Sequence, residues 1–162
     1  MTEKIGVLFV CLGNICRSPL AEAVFEDVVR AEGLSAHFEI DSAGTSDYHA
    51  GDSPDPRTIG EARRRGLELE HAARQIRGED LERFHYILAM DASNLGKIER
   101  LAQTRERRAE LHLLRAFEEE SGDDLEVPDP YFGGPDGFAD VHDMIESACR
   151  GLLEHIRAAH DL

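Results

Sequence analysis

The chain has 162 residues, 41% of them hydrophobic, with 18 basic against 33 acidic side chains and a formal charge of −15. That length suits one domain with a real core, and the charge argues against nucleic acid or an anionic membrane surface as a partner. Ile5 to Val10 is too short an apolar run for a secretory leader or a span, while three unpaired-looking cysteines and eight scattered histidines fit a reducing, cytoplasmic setting without disulfide or zinc.

In chain order, Ile5-Gly6-Val7-Leu8-Phe9-Val10 reads as a buried strand that delivers Cys11 to its own end. Ser18-Pro19 then reads as an N-cap and first helical residue. Leu20, Ala21, Val24, Val28 and Ala31 recur at three and four, so the helix runs to about Glu32 and stops at Gly33. A strand follows around His37 to Asp41, ending in Ser42-Ala43-Gly44-Thr45, and residues 46 to 54 read as loop. Asp55-Pro56 opens a helix that ends near Gly66, and Arg63-Arg64-Arg65 on it read as a solvated face rather than a docking patch. Glu79 to Arg83 suggests a short helix, Phe84 to Met90 a buried strand, and Asp91 the cap of a helix to about Ala102. Glu110 to Leu114 carries the last strand. The final helix, Gly137 to His160, aligns Phe138, Val141, Ile145, Cys149, Leu152, Ile156 and Ala159, so Cys149 reads as core. Strands alternating with helices imply an α/β fold, a parallel sheet with both faces covered.

Val10 to Pro19 holds the chemistry. A loop between a strand end and a helix N-terminus converges backbone N–H groups on one point, a fixed partial positive charge that suits phosphate. Cys11 would lie beneath the anion as a nucleophile, and Arg17 offers a planar fork for two phosphoryl oxygens. Gly13 and Asn14 tolerate the left-handed backbone such a loop needs, and Ser18 can donate its hydroxyl to the Cys11 sulfur. Against this stands the plainer reading of Cys11 as a small buried hydrophobe. A second region, Arg115 to Asp136, is a long acidic loop. Asp129 lies there between Pro128 and Pro130; it is either a turn aspartate, like Asp123, Asp124 and Asp136, or a group set apart by its Asp-Pro-aromatic context.

Cys11 through Arg17 followed by Ser18-Pro19 resembles the signature loop of the low-molecular-weight protein tyrosine phosphatases, and Asp129-Pro130-Tyr131-Phe132 is similar to that family's second motif. Ser42 to Thr45, Asp55 to Arg57, His71 to Gln75 and Met90 to Asn94 resemble family blocks in the same order, so the likeness spans nearly all of residues 1–162 as a single domain. The resemblance implies a doubly wound four-stranded parallel sheet in the order 2-1-3-4. It implies hydrolysis of phosphotyrosine through a cysteinyl phosphate on Cys11, without metal or cofactor. Phosphate would be held by Leu12, Gly13, Asn14, Ile15, Cys16, Arg17 and Ser18, and Asp129 would be the general acid and then base. Asn14 would hold the loop's strained conformation with Ser42 bonded to it, and Leu12, Tyr48, Tyr131 and Phe132 would wall the substrate cleft. Many relatives have a second tyrosine where this chain has Phe132. Cys16, five positions from Cys11, either packs under the loop or, as the resemblance implies, resolves an oxidised Cys11. His71 reads either as a plain surface histidine or as a charge that helps hold the Cys11 thiolate.

The implied partners are a phosphotyrosine protein or peptide, with inorganic phosphate as product and inhibitor. Three rivals use related features. A thioredoxin-coupled arsenate reductase needs two further cysteines in the region 77–95, which has none. A cysteine phosphocarrier has no need of Arg17 or Asp129, and a phosphopeptide-binding module has no need of Cys11.

Overall fold

A computed structural model describes residues 3–118, 122–130 and 136–162. Strand β1, Ile5–Cys11, is buried at every position, and its side chains divide by the period of two that a pleated strand imposes. Ile5, Val7, Phe9 and Cys11 enter a core cluster with helix α1 (Arg17–Ala31), α2 (Pro56–Arg64) and α5 (Gly137–His160). Leu8 and Val10 enter a second cluster on the opposite face, with α3 (Asp80–Arg83) and α4 (Ala92–Ala102). A strand buried on both faces needs an apolar residue at every step, which is why this segment shows no polar alternation.

The sheet has β2 (Phe38–Gly44) and β3 (Tyr86–Ala89) on either side of β1, and β4 (Glu110–Leu113) outside β3; all are parallel, in the order β2-β1-β3-β4. Strand order reverses on either side of β1, so its carboxyl end opens on the crevice where doubly wound sheets bind ligands. On the face of α1, Phe25 meets Phe9 and Phe38 edge-on at 5.6 Å each. Each fully buried side chain of this size is worth roughly 1.5–3 kcal/mol.

Several boundaries differ from the sequence reading. Helix α1 begins at Arg17 with Cys16 as its N-cap, so Ser18 is not the cap and Pro19 is the third helical residue. The first closed turn is Leu20 N–H to Cys16 O at 3.2 Å; Pro19 costs nothing within that turn because its N–H would have no helical acceptor. Strand β2 runs on to Gly44, three residues past the expected Asp41, because Ser42, Ala43 and Gly44 pair with Phe9, Val10 and Cys11. At the end of α5, Ala159 is exposed rather than buried, and Phe138 is half-buried beneath the Arg57 guanidinium, 4.8 Å from its ring centre. Of the arginine run, Arg63 and Arg64 are exposed and paired with Glu68 and Glu61, while Arg65 reaches across to Asp143. The long loop begins with a 3-10 turn, Leu114–Phe117, whose Arg115 is buried.

The helix starts and stops behave as their residue types dictate. Asp55 and Asp91 each accept a backbone N–H of the helix they open, from Arg57 and Asn94, and Gly33 closes α1 at φ +72. Among the described residues no helix is long and apolar enough to cross a membrane.

Candidate active site

The loop from Leu12 to Cys16 joins β1 to α1 and folds over the end of β2. A Cβ at Gly44 would stand 2.7 Å from the Leu12 carbonyl oxygen, so only glycine lets the loop lie this close. Asn14 holds φ +58, a state that costs an L-residue roughly 1 kcal/mol. Gly13 has no positive φ, contrary to the sequence expectation; its need is steric, since a Cβ there would meet His49 Cδ2 at 3.0 Å.

Asn14 is 1% exposed and its side-chain amide is fully used. Its Nδ2 donates to Ser18 Oγ at 2.8 Å and Ser42 Oγ at 3.0 Å. Its Oδ1 accepts from His71 Nε2 at 2.7 Å and from the Arg74 backbone N–H at 3.0 Å. Four hydrogen bonds of about 1 kcal/mol each comfortably offset the strained backbone. Its own N–H points at Cys11 Sγ, 3.3 Å away.

Ser18 Oγ lies 3.0 Å from the same sulfur and 3.3 Å from Ala43 O. A hydroxyl has one proton to give. With a thiol, the sulfur donates to Ser18 and Ser18 to Ala43; with a thiolate, Ser18 turns its proton to the sulfur.

Behind this lies a half-buried pair that the sequence reading had split between helix α1 and the surface. His71 Nδ1 faces Glu22 Oε1 at 3.4 Å, and Ser42 Oγ donates to the same Glu22 oxygen at 2.6 Å. Burial pushes Glu22 up to about 7 and pulls His71 down. Both directions remove charge, as burial dictates, and His71 spends its Nε2 proton on Asn14 Oδ1. His71 is therefore not a surface histidine, and His142, 1% exposed on α5, is not one either. Folding also gathers Glu22, Asp41 and His71, whose ligand-type atoms fall within 4.8 Å of one another, a grouping absent from the sequence spacing. Asp41 is further held by Arg74 at 3.1 Å.

Arg17 is 3% exposed. Its Nη1 donates to Asp91 Oδ2 at 2.8 Å and to Val127 O at 3.0 Å, and its Nη2 lies 3.9 Å from Asp129 Oδ2. Burial opposes its charge, but the neighbouring Cys11 and Asp91 raise its pKa above the ordinary arginine value. Asp91 escaped the sequence reading as a site residue because one oxygen, Oδ1, caps α4 while the other holds Arg17.

These side chains surround an open cavity of about 220 Å³ at the carboxyl end of β1. Cys11, Leu12, Gly13, Ile15, Cys16, Arg17, Tyr48 and Asp129 line it together with Ser46 and His49, which no motif singled out. Asn14, Ser18 and Ser42 stand behind the lining rather than in it. Tyr48 is 83% exposed at the rim. Tyr131 and Phe132 lie outside the described residues. Burial pushes the Cys16 thiol up to about 12, and Cys149 is enclosed in the core of α5.

A family model described as low molecular weight phosphotyrosine protein phosphatase matches residues 6–161. Over 152 residues the chain is 47% identical to a low molecular weight protein-tyrosine-phosphatase of Streptomyces coelicolor, covering 93% of this chain and 93% of that protein. Its structure resembles that of a protein tyrosine phosphatase from Entamoeba histolytica with Hepes in the active site, at a TM-score of 0.89 and 36% identity over 97% of this chain and 99% of that one. It also resembles a Drosophila arginine phosphatase, at a TM-score of 0.87 and 35% identity over 93% and 97% of the two chains.

Proposed function

The chain belongs to the low molecular weight phosphotyrosine protein phosphatase family and is a protein-tyrosine-phosphatase, a hydrolase; from that premise we propose that Cys11, Arg17 and Asp129 carry its chemistry. Cys11 attacks phosphorus in line with the leaving phenol oxygen. Asp129, in its acid form, gives that oxygen a proton, so a neutral phenol departs and a cysteinyl phosphate remains. As a carboxylate, Asp129 then takes a proton from the water that attacks phosphorus. Phosphate leaves, and the thiolate returns with Ser18 donating to it.

The observation that carries this reading is the division of labour on Arg17. Its Nη1 is committed to Asp91 and Val127, which leaves the Nε–Nη2 edge of the fork, with Asp129 Oδ2 3.9 Å from Nη2, for a ligand in the cavity that Arg17 lines beside Cys11. Two phosphoryl oxygens can then be held while charge spreads over them in a loose transition state. The loop N–H groups of residues 12 to 17 share that work. Leu12, Ile15 and Tyr48 offer apolar faces to an aromatic ring, which favours phosphotyrosine over the shorter phosphoserine and over the polar guanidinium of a phosphoarginine.

Asp129→Asn tests the assignment. The measurement is kcat/KM, which covers only the steps through release of the leaving group. A loss of roughly 10²–10⁴-fold is expected for phosphotyrosine peptides and phenyl phosphate. It should shrink towards unity for 2,4-dinitrophenyl phosphate, whose leaving group needs no proton. In the wild type, phosphoserine, phosphothreonine and phosphoarginine peptides should all fall well below phosphotyrosine. Asp124→Asn or Asp136→Asn reproducing the loss in place of Asp129→Asn would move the acid elsewhere.

A redox role for Cys16 rests on its place with Cys11 in the cavity lining. Peroxide converts the Cys11 thiolate to sulfenic acid; the Cys16 thiolate then attacks that sulfur, forming the disulfide as hydroxide leaves and is protonated to water. Because burial holds Cys16 near 12, only a small thiolate fraction exists at neutral pH. Disulfide formation should therefore accelerate about tenfold per pH unit between 7 and 9. Dithiothreitol should restore most activity to peroxide-treated wild type, and much less of its own starting activity to Cys16→Ser. Equal recovery in both would leave Cys16 with a packing role only.

A further inference from the structure

Asp129 hangs from a segment whose anchorage begins fourteen residues upstream, at Arg115. This side chain is 7% exposed. Its Nε donates to Glu118 Oε2 at 2.7 Å and its Nη1 to the Glu126 backbone carbonyl at 2.7 Å, with Asp124 Oδ2 at 3.5 Å from the same nitrogen. The base it reaches from is fixed. Leu114 beside it is fully buried, and the 3-10 turn is pressed so closely on α5 that a Cβ at Gly151 would stand 1.8 Å from Phe117 O.

The tip is tied as well. Glu126 accepts the Ala92 N–H through Oε2 at 2.8 Å. Val127, fully buried, donates its N–H to Met90 O at 2.7 Å and offers its carbonyl to Arg17. Two residues of chain span at most about 7 Å, and Pro128 and Pro130 fix φ on either side of Asp129. The backbone that carries the Asp129 carboxyl is thus placed by where residues 126 and 127 are held. A neutral side chain at 115 would take the charged donor from the Glu126 carbonyl and the guanidinium contact from the Glu118 carboxylate.

We propose that Arg115 is a positioning residue for catalysis, a charged strap that sets the reach of Asp129 towards the leaving group. The inference rests on the reading of Asp129 as the general acid. A strap of this kind touches no substrate. It acts only on the step that needs the proton.

The test is a comparison of kcat/KM for phenyl phosphate and 2,4-dinitrophenyl phosphate in wild type, Arg115→Met, Asp129→Asn and the double variant. A partly unfolded preparation lowers both substrates equally, so the ratio between them is insensitive to folded fraction. Arg115→Met should lower phenyl phosphate turnover about tenfold more than dinitrophenyl phosphate turnover, and should change the ratio no further when Asp129 is already asparagine. Arg115→Met combined with Glu118→Gln, which neutralises the carboxylate that Arg115 holds, should give the same ratio as Arg115→Met. Equal losses on both substrates, or a further change of ratio in the Asp129→Asn background, overturn the proposal while leaving Asp129 as the acid. An unchanged ratio in Asp129→Asn itself overturns both.

Discussion

Cys11→Ser is expected to have no measurable turnover on any aryl phosphate while still binding inorganic phosphate within a few-fold of the wild type. The two halves of this expectation come from different atoms. Binding depends on the loop N–H groups and on the Nε–Nη2 edge of Arg17, none of which the substitution alters. Turnover depends on a sulfur that Asn14 N–H and Ser18 Oγ approach at 3.3 and 3.0 Å. A serine oxygen there is far less ionised at neutral pH, and a hydroxyl of this kind is a weak nucleophile and a poor leaving group from phosphorus. Phosphate affinity is read by calorimetry and turnover by phenol release. Appreciable hydrolysis by Cys11→Ser would rule out the covalent route.

Arg17→Lys should be nearly as damaging in activity and, unlike Cys11→Ser, should weaken phosphate binding too. A guanidinium at a phosphoryl transition state is worth roughly 10³–10⁵-fold in related chemistry, and a loss of about 10³-fold in kcat/KM is expected here. An ammonium cannot supply a planar two-point grip. Nor can it fill the rest of the site: Asp91 Oδ2 and Val127 O, 2.8 and 3.0 Å from Arg17 Nη1, would both lose their donor in a nearly closed environment. The fold should survive, because α1 and β1 are held by apolar burial on both faces of the sheet, and a thermal melt checks this. Activity within tenfold of the wild type would mean that the fork is not the transition-state grip.

Local signals made much of this architecture legible. A strand buried on both faces writes itself as the unbroken run Ile5 to Val10, and the bounds of α5 coincide with its apolar spacing. Asp55, Asp91 and Gly33 cap or close their helices as their side chains and φ preferences require. The loop itself was legible because nucleophile, arginine and helix start sit within eight residues.

What stayed hidden is contact between distant parts of the chain. Arg17 meets Asp91 and Val127 across 74 and 110 residues, and no periodicity or cap signal encodes such a pairing. His71 was misjudged for the same reason: a lone histidine near charged neighbours reads as solvated, and only the fold brings Asn14 Oδ1 to its Nε2. The start of α1 was placed two residues too late because Ser18-Pro19 satisfies the usual cap pattern, while the serine is spent on Asn14 and the sulfur instead. Gly13 was explained by the wrong property, since crowding by His49 cannot be seen from residue type.

The first turn of α4 has a consequence for how this protein loses activity on warming. Asp91 caps that turn and grips Arg17, and Ala92 N–H holds Glu126, one residue before the carbonyl that Arg17 also grips. Helix ends open at far lower free energy than the core beneath them. Fraying of a single turn, with the sheet intact, thus slackens the phosphate fork and the acid-bearing segment together, so inactivation is a sub-global event that runs ahead of the cooperative melt.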